Sequence, residues 1–137
     1  MKNLKFLLLL LPPLLSIGCN RNDDPVTDEP ALTETWNLIN VSGSITGASY
    51  DFDPGTIKWT FHGQAVVVVN NNTDESAEDM FQSGTYSMHY ETNEATPEMC
   101  GQILFVDDIE LGCATVTENQ IVISQVWADG YQLTFVK

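Results

Sequence analysis

Positive charge is the scarcest property of this sequence. Its 137 residues include five Lys and Arg against nineteen Asp and Glu, a formal net charge of −14 at pH 7. A surface this acidic repels nucleic-acid phosphate, which excludes nucleic acid as a partner. Histidine is nearly missing as well: His62 and His89 are the only two, and neither stands near a cysteine with metal-ligand spacing. No Gly-x-Ser-x-Gly occurs and the serines are scattered, so nothing points to a nucleophilic enzyme. Asp51 and Asp53, then Asp74, Glu75, Glu78 and Asp79, offer oxygens of the kind calcium takes, but the Asp-x-Asp-x-Asp-Gly order is absent. The expectation is a protein that is not an enzyme and holds no metal or cofactor.

Long apolar runs are lacking too. The uncharged stretch from Phe6 to Asn20 falls short of the roughly 20 residues that cross a hydrocarbon core, and Pro12-Pro13 interrupts it. What stands there is the pattern of a secretory signal: Lys2 and Lys5, the apolar Phe6–Leu15, then the small residues Ser16-Ile17-Gly18 before Cys19. Leu15-Ser16-Ile17-Gly18-Cys19 resembles the lipobox of bacterial lipoproteins. That resemblance implies diacylglycerol on the Cys19 sulfur, cleavage of the preceding bond, and acylation of the new amino group. One buried chain anchors marginally, at about 0.8 kcal/mol per methylene, whereas several chains on one residue give a lasting membrane tether. Residues 1–18 are thus expected to be a signal peptide. Residues 19–31, polar and carrying Pro25 and Pro30, form a flexible tether with lipidated Cys19. Asp23-Asp24 is similar to surface-export signals of some Gram-negative lipoproteins, and reads equally as solvated linker. The implied location is the outer membrane, at its periplasmic face or the cell surface. Lys2 and Lys5 leave with the signal, so the mature protein is more acidic still.

Beyond the tether, helical periodicity is missing and period-two alternation takes its place. Trp36–Val41, Ile57–His62, Gln64–Val69, Gly84–Tyr90, Ile103–Val106, Ile109–Leu111, Gln120–Val126 and Tyr131–Val136 read as eight strands. Asp74–Phe81 is expected to form at most one helical turn. Turn signals at His62-Gly63, Asp107-Asp108 and Asp129-Gly130 join strands as hairpins. A meander of eight strands loses its exposed edges by closing, so residues 32–137 are expected to be an all-β, eight-stranded antiparallel up-and-down barrel. With Cys19 spent on lipid, Cys100 and Cys113 remain. A turn near Val106 and Asp107 would place them opposite each other as one disulfide; two free buried thiols are the alternative.

Leu32-Thr33-Glu34-Thr35-Trp36-Asn37-Leu38, then Gly84-Thr85-Tyr86-Ser87, then Asp129-Gly130-Tyr131-Gln132-Leu133-Thr134-Phe135, in that order, resemble the lipocalin-like domains of Gram-negative lipoproteins. The resemblance implies the closed eight-strand barrel, with Trp36 closing its floor; Glu34 stands where that family usually has glycine. It also suggests a small hydrophobic ligand in a cavity lined by Trp36, Trp59, Phe61, Tyr86, Met88, Phe105, Tyr131 and Phe135, covered by the Ser42–Gly55 loop as a lid. A short barrel is equally able to fill its interior with such side chains. The competing expectation is a tethered domain that binds an envelope protein, with Trp127, Phe81 and Met80 as candidate exposed anchors, although each reads more readily as a local packing residue. Intact-mass spectrometry of the protein extracted from cells should find an N-terminus at a triacylated Cys19; an unprocessed Met1 with a free thiol would remove the anchor.

Overall fold

The computed structural model describes residues 32–125 and 129–137. The signal, the tether, Cys19 and Trp127 lie outside the described residues. Nine strands are present: β1 Thr35–Gly43, β2 Ala48–Asp51, β3 Ile57–His62, β4 Ala65–Asn70, β5 Gly84–Thr92, β6 Gln102–Val106, β7 Ile109–Val116, β8 Gln120–Ser124 and β9 Tyr131–Val136. Among the described residues there is no helix. Every pairing is antiparallel, and β1 pairs with β9 as well as with β2 and β3, which closes the sheet into an eight-stranded barrel with one additional strand.

That additional strand is β2. It occupies the segment expected to be a lid, and the correction has a plain geometric cause. β3 pairs with Thr35, Trp36 and Asn37 of β1, and β2 pairs with Asn40–Gly43 on the same edge. The three steps along β1 from Asn37 to Asn40 correspond to seven along the neighbour, from Lys58 back to Asp51. Asp53–Thr56 absorbs the excess as a tight turn, closed by a bond from Thr56 N to Asp53 O of 3.0 Å. β2 and β3 therefore act as two halves of one barrel stave. Ala48-Ser49-Tyr50-Asp51 alternates over only four residues, with Tyr50 packed on the core, and side-chain bonding helps to hold it. Asn40 Nδ2 donates to Asp51 Oδ1 at 2.8 Å and to Ser49 Oγ at 3.0 Å.

The interior is set by alternation, with two interruptions. Ile57, Trp59 and Phe61 of β3, Val66 and Val68 of β4, Ile121 and Ile123 of β8, and Leu133 and Phe135 of β9 all point inward and are buried. In β1, Trp36 and Leu38 follow the pattern, but a bulge between Leu38 and Asn40 shifts the register against β9. Val41 then faces the core in place of Asn40. A second bulge lies opposite Leu104 and Phe105, where Gly112 enters a left-handed conformation (φ 98°). There β7 leaves β6 and passes to β8. The 74–81 segment forms no helix; its backbone bonds are a turn from Ala77 N to Asp74 O at 3.2 Å and one from Phe81 N to Asp79 O at 2.8 Å.

Asp107 at the β6–β7 hairpin turn also has a structural task. Its backbone N donates to Ser87 O at 2.8 Å, and its Oδ1 accepts from Ser87 N at 2.8 Å and Ser87 Oγ at 2.9 Å. The turn carboxylate thereby continues the β5–β6 ladder past the end of β6.

A side chain at Gly112 would drive its Cβ into the carbonyl of Ser124 while holding a positive φ. Gly112→Ala is expected to cost at least the 1–3 kcal/mol or so of a misplaced left-handed residue, read as a lower urea midpoint at unchanged slope. An unaltered midpoint would show that the crossover there is not tightly packed.

Candidate functional site

Seven of the eight residues expected to line a cavity do turn toward the interior, but they pack against each other. Trp36, Trp59, Phe61, Met88 and Phe135 are buried, and Tyr86 and Tyr131 lie partly buried against them. Trp59 sits at the centre. Its ring centroid lies 5.2 Å from Phe135 and 5.3 Å from Phe81, both edge-on, and 6.0 Å from Phe61. Such tilted and edge-on contacts are the favoured aromatic geometry.

Phe81 is therefore no exposed anchor. It is 6 % exposed, it meets Tyr86 at 4.9 Å, and Met80 packs beside it. The loop that delivers it is held by polar side chains: Asn70 Nδ2 donates to Asp79 Oδ2 and to Phe81 O, each at 2.8 Å, and Asn72 Nδ2 reaches Asp79 at 3.1 Å. Within it, hydrogen bonds from the Ser76 hydroxyl and backbone hold the Asp74 carboxyl below the usual carboxylate value. The acidic run 74–79 is thus accounted for as loop structure. Among the described residues, no group of three His, Cys, Asp or Glu side chains is placed to hold a metal ion.

Trp36 and Trp59 oppose each other across the β1–β3 ladder. Both indole N–H groups are buried without an acceptor. Over the Trp36 ring lies Lys137 Nζ, 5.2 Å from the centroid and 2.7 Å from Glu34 Oε2. Glu34, which stands where glycine is usual in the resembling family, thus fixes the C-terminal lysine across the tryptophan.

Phe105 is the eighth residue, and it faces outward. In β6 the inward positions are Leu104 and Val106, both fully buried, so Phe105 and Ile103 stand on the outer face. There Phe105 lies between two cross-strand neighbours, His89 of β5 and Glu110 of β7. The His89 ring stacks on it at 5.1 Å and 15°, and His89 Nε2 lies 3.4 Å from Glu91 Oε1. Phe105 and Ile103 form the apolar wall of an open outer groove of about 470 Å³, whose other walls include Glu91, Asn93, Glu94 and Glu110. Glu110 Oε1 is buried there with no hydrogen-bond partner. A carboxylate oxygen deprived of both water and a donor is costly to bury.

Sequence reasoning missed Glu91, Glu94, Ile103 and Glu110. A signal existed: Ile103-Leu104-Phe105-Val106 is continuously apolar, the pattern of a strand covered on both faces.

The groove wall is stapled from behind. Asn93, 2 % exposed, accepts from Thr96 N at 3.0 Å and donates to Thr96 O at 2.9 Å, while its backbone N bonds Gly101 O at 3.0 Å. A Cys100–Cys113 disulfide, with Cα atoms 5.9 Å apart, ties this loop to β7. The bridge is not the directly opposed pair expected from the turn. The β6–β7 ladder ends at Leu104 against Gly112, and Cys113 pairs with Ser124 of β8; Cys100 reaches it from the loop ahead of β6.

Cys100→Ser with Cys113→Ser should lower stability by about 3 kcal/mol through the freed chain entropy of the unfolded state. Amide exchange should rise first across residues 93–101. Equal exchange in both proteins would mean that Asn93 alone holds the wall. No family model, curated protein or solved structure matches this chain.

Proposed function

We propose that this chain is a lipid-anchored, lipocalin-like lipoprotein of the outer membrane whose barrel is packed shut, and which acts by presenting its outer surface to an envelope protein. It catalyses no reaction on this reading. The anchor rests on the Cys19 lipobox. The carrying observation for the rest is the Trp59, Phe61, Phe81 and Phe135 cluster, whose rings occupy the space where a carrier would hold its ligand. Burying each such side chain favours folding by roughly 1.5–3 kcal/mol, which a ligand would have to recover to displace it.

A carrier of a small hydrophobic molecule is the second reading, and the two unpaired indole donors favour it, since an acceptor on a ligand would satisfy them. Tryptophan fluorescence separates the two. Fatty acid, retinoid or haem titrated into the protein should leave the emission unchanged. Saturable quenching at one ligand per chain, lost in Trp59→Phe, would overturn the packed-barrel reading in favour of the carrier.

A further inference from the structure

We propose that the Cys100–Cys113 bond is a thiol-operated latch: closed, it straps the 93–101 loop across an unpaired seam in the barrel wall, and its reduction opens that seam. This goes beyond the reading of an outer working surface and holds whichever face of the barrel meets a partner.

The seam lies between β6 and β7. Their ladder ends at Leu104 against Gly112. Gln102 and Ile103 of β6 go on pairing with Thr92 and Glu91 of β5, while Cys113–Val116 of β7 pair with β8. From that point the two strands part, and each keeps ladder partners on one edge only. The divergence is built into the backbone. Gly112 holds a φ of 98°, and it passes so close to Ser124 of β8 that no side chain fits there. The core reaches this seam from inside: Leu104 of β6 is fully buried, and Ala114 of β7 packs against the buried cluster.

The loop between β5 and β6 spans the gap. Within itself it is well bonded. Asn93 N donates to Gly101 O and Met99 N to Thr96 O, each at 3.0 Å, and the Asn93 amide holds Thr96. Toward β7 the picture differs. Among the described residues no hydrogen bond or ion pair joins 93–101 to β7, and the disulfide makes that link by itself. Both cysteines are partly exposed, and most of the loop faces solvent, so a thiolate can approach the bond in the folded protein. Exposed disulfides are the labile and regulatory class. The bond joins positions 13 apart, and its loss leaves the closing ladder of β1 with β9 untouched.

The reductant is a dithiol. One of its thiolates attacks a cysteine sulfur, the S–S bond breaks, and the other cysteine leaves as a thiolate that takes up a proton. The second thiol of the reductant, deprotonated, then displaces the first cysteine. Two electrons pass to the protein, which gains two thiols, and the reductant ends as a disulfide.

The test treats the full chain with dithiothreitol in native buffer. Maleimide quenching and peptide mass mapping should find Cys100 and Cys113 both labelled while circular dichroism keeps its sheet signal. Amide exchange should lose protection across 91–103 and retain it along β1 and β9. An apolar dye such as bis-ANS should bind the reduced protein and not the oxidised one, and reoxidation should reverse every change. The Cys100→Ser, Cys113→Ser protein should show the open pattern without reductant and no response to it. Labelling that appears only where the barrel unfolds would overturn the proposal. So would loss of the whole sheet on reduction or in the double variant, and so would lost protection without dye binding, since the loop would then fray while the seam stayed shut.

Discussion

The ladder between β1 and β9 is the constraint from which the rest of the structure follows. It runs from Asn37↔Val136 to Gly43↔Tyr131 and joins the two ends of the meander. Without it both strands would be edges, with unpaired backbone groups facing water or another chain. With it, β1 is flanked by β9 on one side and by β3 and then β2 on the other. The bulge at Leu38–Asn40 is the local adjustment that lets one strand serve all three partners.

Closure also determines what the interior can be. In a closed eight-strand cylinder the inward side chains meet around a narrow axis. Here they include a tryptophan and three phenylalanines in mutual contact, continued by Leu104, Val106, Leu111, Ile121 and Ile123. The barrel thus has a hydrophobic centre, and its polar exceptions are informative. Two indole N–H groups stay unpaired inside, and one carboxylate oxygen stays unpaired under the outer groove. The first two are tolerated because large rings contribute more by burial than one donor loses.

Much of this was legible in the chain. Period-two alternation located eight of the nine strands, because pleated backbone sends successive side chains to opposite faces whatever the partner strand. The hairpin turn at Asp107-Asp108 and the pairing of Cys100 with Cys113 followed from residue type and spacing. β2 did not, because Ala48-Ser49-Tyr50-Asp51 alternates over only four residues, with one large apolar side chain, and is held by Asn40 from another strand. The polar neighbours of Phe81 left open whether it is an exposed anchor or a packing residue; those same Asn and Asp side chains turn it onto Trp59.

The sequence by itself determined the all-β class and eight of the strand positions and offered Cys100 and Cys113 as a bridge or as free thiols, and the reading of a signal and lipid-bearing Cys19 rests on it alone. These are local properties, carried by alternation, turn chemistry and short motifs. Tertiary structure decided which faces those strands show. A run such as Ile103–Val106 has no polar residue to mark its outer side. Only its register against β5 and β7 turns Phe105 outward between His89 and Glu110. The groove exists for the same reason: its carboxylates come from the end of β5 and from β7, and the pairing of both strands with β6 brings them to either side of Phe105.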